Sequence, residues 1–134
     1  TSEIDMPLAS YAMTWTGAGG NPAIGDGSVY SFYTREGRLI TVTIGVTMGS
    51  TTTYGTGEWR FSLPITATGS TNCYGTFIAY DSSGTLYYSG VVQVAASGTY
   101  ATLIPHGAAG AATSAVPFTW ASGDFVRMQF TYLR

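Results

Sequence analysis

Over residues 38–48 the chain alternates without a break. Ile40, Val42, Ile44, Val46 and Met48 fall on one side, and Thr41, Thr43, Gly45 and Thr47 on the other. A period of two is the period of an extended strand, whose successive side chains point to opposite faces. β-Branched residues also fit a pleated surface better than a helix. One face of this segment therefore belongs to a core and the other to a wetter surface. The scheme returns near the C terminus, where Val126, Met128, Phe130 and Tyr132 alternate with Arg127, Gln129 and Thr131.

Turn residues divide the rest at short intervals. The chain has 18 glycines, clustered at residues 17–22, 25–27, 36–37, 49–50, 55–57, 68–70, 81–84 and 97–98. Short runs rich in Val, Ile, Thr, Tyr and Phe lie between them, the spacing of a sandwich or barrel. Segments 11–16, 28–35, 38–48, 59–63, 74–81, 86–94, 99–104 and 125–132 read as strands. The expected fold is all-β: an eight-stranded antiparallel jelly-roll sandwich of two four-stranded sheets. Residues 11–134 form that domain, and residues 1–10 an arm or edge strand carrying Ile4, Met6 and Leu8. Residues 107–115 are rich in alanine, but Gly107, Gly110 and Pro117 interrupt any helix, so a small-residue loop is expected there.

Composition narrows the function. Charged residues are 9% of the chain, against roughly 25% in an average domain, and lysine is absent. A chain that covers its surface with sister copies needs little charge, so the deficit points to an oligomer. The net charge of −2 and the lack of a basic stripe argue against nucleic acid. No apolar run is long enough to span a membrane. The first ten residues lack the basic start of a signal peptide, and the reading expects a small gene product complete in itself. A single cysteine, Cys73, forms no internal disulfide.

Material for catalysis is sparse. The one histidine, His106, sits between Pro105 and Gly107, and no G-x-S-x-G elbow accompanies it. A loop histidine of structural or interface role is the expectation. One His and one Cys make no zinc site, and Asp26 and Asp81 are turn residues without a calcium-loop pattern. The remaining acids are scattered, and Gly17-Ala18-Gly19-Gly20 lacks the Lys and helix of a phosphate loop. No enzyme activity, cofactor or metal is expected.

The aromatics carry more information: ten Tyr, six Phe and three Trp. They line a sugar-binding face, fill a core, or cover a subunit interface. In Tyr87-Tyr88 one ring faces outward if the strand is regular, and residues 30–33 have the same property. The interface reading takes Tyr30, Tyr33, Tyr87 and Tyr88, together with Ile4, Met6 and Leu8. The glycan reading takes Tyr54 and Tyr87.

Three stretches carry a resemblance. Trp15-Thr16 leads into a glycine-rich turn with Asn21-Pro22, Ile24-Gly25 and Gly27. Tyr33 and Gly37 lead through the alternating strand to Gly49-Ser50-Thr51-Thr52-Thr53-Tyr54-Gly55-Thr56-Gly57-Glu58-Trp59-Arg60-Phe61-Ser62-Leu63-Pro64. Pro117-Phe118-Thr119-Trp120-Ala121-Ser122-Gly123-Asp124 precedes the last strand. Together they resemble the small β domains of tail-fibre, minor tail and related virion surface proteins of phages of actinobacteria. The resemblance implies a virion surface location and a homotrimer. As a chain standing alone it resembles a capsid decoration protein, cementing neighbouring subunits of the major capsid protein. The alternative is a receptor-binding domain of a tail-fibre assembly, touching host surface glycan through loops such as 50–57 and 82–86. A free carbohydrate-binding module is the third reading.

Overall fold

The structure, a computed structural model, describes residues 8–134. Ile4 and Met6 lie outside the described residues. Nine strands follow in order: β1 (Ala9–Ser10), β2 (Trp15–Gly17), β3 (Ser28–Glu36), β4 (Leu39–Thr47), β5 (Trp59–Ser62), β6 (Cys73–Asp81), β7 (Leu86–Val94), β8 (Tyr100–Pro105) and β9 (Phe125–Leu133). The described residues contain no helix.

All nine strands join one curled antiparallel sheet in the order β1-β3-β4-β9-β6-β7-β8-β5-β2. This corrects the expectation of eight strands in two separate sheets. The ninth strand, β1, falls at the end of the segment expected as an arm or edge strand; it is two residues long and pairs Ala9 with Tyr33 and Ser10 with Phe32. A strand that short shows no alternation. The single sheet arises because β8 hydrogen-bonds to β5, and β5 to β2, beyond the β6-β7-β8 meander. The C-terminal strand β9 lies at the centre, between β4 and β6.

Local chemistry explains the tightest connection. Between β3 and β4 only Gly37 and Arg38 intervene, with Glu36 opposite Leu39. Gly37 has φ 59°, which glycine adopts freely at the first position of a two-residue hairpin loop.

The predicted inward set is the core. Ile40, Val42, Ile44, Val46 and Val126 are fully buried, and Met128, Phe130 and Tyr132 nearly so. Phe77, Ala79, Val92, Val94, Ala101 and Leu103 continue the layer. One end is closed by aromatic packing. Trp59 meets Trp15 edge-to-face and lies tilted on Trp120, each with ring centroids 4.9 Å apart. Phe118 then packs on Trp120 at 4.3 Å and Tyr88 on Phe118 at 4.9 Å. The alanine-rich segment is the expected loop, and it also mends the sheet. The Ala112 N–H donates to Leu103, and its carbonyl accepts from Trp59. It thus fills the gap where β5 and β8 pair through only Phe61-Ala101 and Ser62-Tyr100.

Two tyrosines tie loops to the core. The Tyr132 hydroxyl donates to the Ile65 carbonyl at 2.6 Å, and that of Tyr11 to the Ser62 carbonyl at 2.8 Å. Burial pushes the Tyr132 pKa up to about 12 and raises that of Tyr11 as well. In the unfolded chain tyrosine ionises near pH ~10. Because the folded-state values are raised, their contribution is fully present below the unfolded pKa and is lost as pH climbs to the folded one. Urea midpoints followed by tryptophan fluorescence are expected to fall steeply between about pH 10 and pH 12. Tyr132→Phe is expected to be less stable at neutral pH and to show a shallower alkaline fall.

Candidate ligand-contact face

The side of the sheet turned away from the core is built by the other half of each alternation. Register sets its rows. Tyr30 on β3 stands opposite Gly45 on β4, Gly45 opposite Arg127 on β9, and Arg127 opposite Ile78 on β6. The next row carries Phe32, Thr43, Gln129 and Thr76. Beyond it, Thr41 and Thr131 share a 3.0 Å hydroxyl–hydroxyl hydrogen bond. The other end is aromatic. Tyr80 packs on Tyr87 at 4.6 Å and on Phe125 at 5.3 Å. Tyr30 stacks on Phe32 at 5.7 Å.

Gly45 makes room for this arrangement. A Cβ at that position would run into the Tyr30 ring. Tyr30 therefore lies down over β4 toward Arg127. The Arg127 guanidinium sits 4.5 Å from the Phe125 ring centroid and 5.6 Å from that of Tyr30. Its Nη1 donates to the carbonyls of Val126 at 3.0 Å and Val46 at 3.2 Å, and its Nη2 donates to the Thr47 hydroxyl at 3.0 Å. No carboxylate pairs with it: among the described residues the salt bridge is Arg60–Glu58. Next to it opens a depression of about 250 Å³ lined by Tyr30, Thr43, Thr76, Ile78, Arg127 and Gln129, together with Phe77 and Met128.

The residues singled out from sequence separate by face. Tyr30 and Tyr87 are outward, 39% and 66% exposed, and Leu8 is exposed before β1. Tyr33 and Tyr88 turn inward and pack against the core, Tyr33 edge-on to Tyr11. Tyr54 also leans on the core, and its carbonyl accepts from the Trp59 indole at 2.9 Å. Burial, then the negative Asp124, raises the Tyr54 pKa. Tyr54 and Tyr87 therefore do not share a surface built by one set of side chains.

His106 is exposed, and its backbone N–H donates to Ser89. Asp26 and Asp81 serve turns: Asp26 accepts from Ser50 and the Thr51 N–H, and Asp81 from Ser83 and the Gly84 N–H. The Ser50 bond leads in holding the Asp26 carboxyl below its ordinary pKa. Among the described residues no group of three His, Cys, Asp or Glu side chains gathers to hold a metal.

Arg127 was legible as an outward residue, but its setting was not. The available signal was a lone arginine inside a strand of threonine and glutamine neighbours.

The fold thus defines an all-β domain whose outer sheet face carries exposed rings, threonines and one arginine. No protein-family model matches the chain, and no solved structure matches it significantly. Among curated proteins it is similar to the Mu-like prophage FluMu defective tail fiber protein of Haemophilus influenzae, with 27% identity over 125 residues. That alignment takes in 92% of this chain and 20% of the relative, so the chain spans about a fifth of the relative's length.

Proposed function

We propose that this chain is a non-enzymatic structural domain of a phage virion, carried on a tail fibre and turned toward the host surface. The observation that carries the reading is the similarity to a tail fibre protein along 92% of the chain. The fold agrees with it: exposed rings, threonines and one arginine gathered on a rigid sheet suit surface recognition. Capsid decoration, the other virion placement read from the sequence, gains no supporting observation from the fold.

The domain associates as a homotrimer. The scarcity of charge supports this, as do Leu39, Leu133 and Tyr74, which lie exposed at one end of the outer face. Tyr30 and Tyr87, at the other end, stay free for a ligand. Light scattering of the purified chain reads the trimer directly. Electron microscopy of particles labelled with an antibody to this chain tests the placement, and the fibres are expected to carry the label.

A further inference from the structure

We infer that the depression beside Arg127 is a binding site for an anionic sugar residue, with a carboxylate or phosphate seated on the guanidinium. The inference rests on the fibre reading for its glycan and on the following geometry for its charge.

Arg127 has five N–H donors in a planar fork. Nη1 spends both of its hydrogens on the Val46 and Val126 carbonyls, and Nη2 spends one on Thr47. The Nε–H and the second Nη2–H have no acceptor among the described residues. Three hydrogen bonds and two aromatic rings hold the side chain in this position. A fixed, half-buried cation with unspent donors suits an oxyanion, and a planar fork favours carboxylate or phosphate.

No group on the facing strands competes for it. Tyr30 faces it from β3, Thr43 and Thr47 from β4, Phe125 and Gln129 from β9, and Thr76, Ile78 and Tyr80 from β6. None is a carboxylate. The rest of the lining suits a sugar. Tyr30 and Ile78 offer apolar walls for the C–H face of a ring, while Thr43, Thr76 and Gln129 offer hydroxyl and amide partners. At about 250 Å³ the space is smaller than the roughly 300–1,000 Å³ of drug-sized pockets. It takes one sugar unit of a longer polymer.

The test uses surface polysaccharide extracted from cells to which the phage adsorbs, with binding to the purified chain followed by calorimetry. Three preparations are compared: native, carboxyl-reduced and dephosphorylated. The wild-type chain is expected to bind the native polymer and to lose roughly tenfold or more in affinity for the preparation lacking the recognised anion. That loss identifies carboxylate or phosphate as the source. Arg127→Gln is expected to lose binding to the same degree.

Since Arg127 also bonds the backbone, Ile78→Glu provides a second variant. It changes an exposed residue directly opposite Arg127, and its new carboxylate occupies the free donors. It is expected to keep the wild-type melting temperature within a few degrees and to abolish binding. Two results would overturn the inference while leaving a host-contact role intact: equal affinity for all three preparations, or native binding undiminished in both variants. Failure of the wild-type chain to bind any preparation would overturn the inference and the host-contact reading together.

Discussion

Trp59→Ala is expected to be the most damaging single substitution in the domain, lowering stability by about 3–5 kcal/mol. Trp59 is fully buried and stands between Trp15 and Trp120, so truncation removes the shared partner of both. It also leaves the Tyr54 carbonyl without its indole donor. A domain of ordinary stability has only about 5–15 kcal/mol in total. The variant is therefore expected to lose a large share of its urea midpoint, measured by far-ultraviolet circular dichroism because the substitution alters fluorescence. Trp59→Phe retains a ring and is expected to fall between the two. A loss below about 1 kcal/mol for the alanine variant would mean that the three indoles do not pack as one cluster.

Asp124→Ala is expected to cost about 3 kcal/mol. Its carboxylate is fully buried and accepts three hydrogen bonds. Oδ1 takes the Ser82 N–H at 2.8 Å and the Ser82 hydroxyl at 3.0 Å, and Oδ2 takes the Ala121 N–H at 2.7 Å. The side chain thus locks the β6–β7 turn against the turn that launches β9. Removing it takes a charged acceptor from two backbone donors and a hydroxyl, and hydrogen bonds to a charged group contribute about 1.5–3 kcal/mol each. Asp124→Asn keeps one acceptor oxygen but turns an amide N–H₂ toward the other donors. The expected order of urea midpoints is wild type, then Asn, then Ala. An alanine variant as stable as the wild type would show that water replaces the carboxylate at no cost.

The two substitutions mark the boundary of what the sequence discloses. Alternation is a local property, and it locates most of the strands, while the opening one, expected over 11–16, forms only at Trp15–Gly17, where residues 11–16 lack a clean alternation. The pattern over residues 86–94 predicts a strand, which is β7, and the alternation in β4 and β9 picks out their inward sets residue by residue. Hydrogen-bonded neighbours are not a local property. Nothing in the period of β9 says that it lies between β4 and β6, or that β8 passes the ladder to β5. In sequence Asp124 is one of the scattered acids, because its partner Ser82 is 42 residues away.

The candidate site divides in the same way. Adjacent aromatics required one ring of each set to face outward, and Tyr30 and Tyr87 do, while Tyr33 and Tyr88 support the core. The outward position of Arg127 was also visible. Its lack of a carboxylate partner, and the Tyr30 ring lying over Gly45 beside it, depend on register across three strands.

The proposed function rests on one placement, a sheet face carried on a tail fibre. Gold-labelled antibody against the purified chain, applied to intact particles and viewed by electron microscopy, measures that placement directly. Label concentrated on the tail fibres is the expected result. Label spread over the capsid shell, with bare fibres, would contradict it.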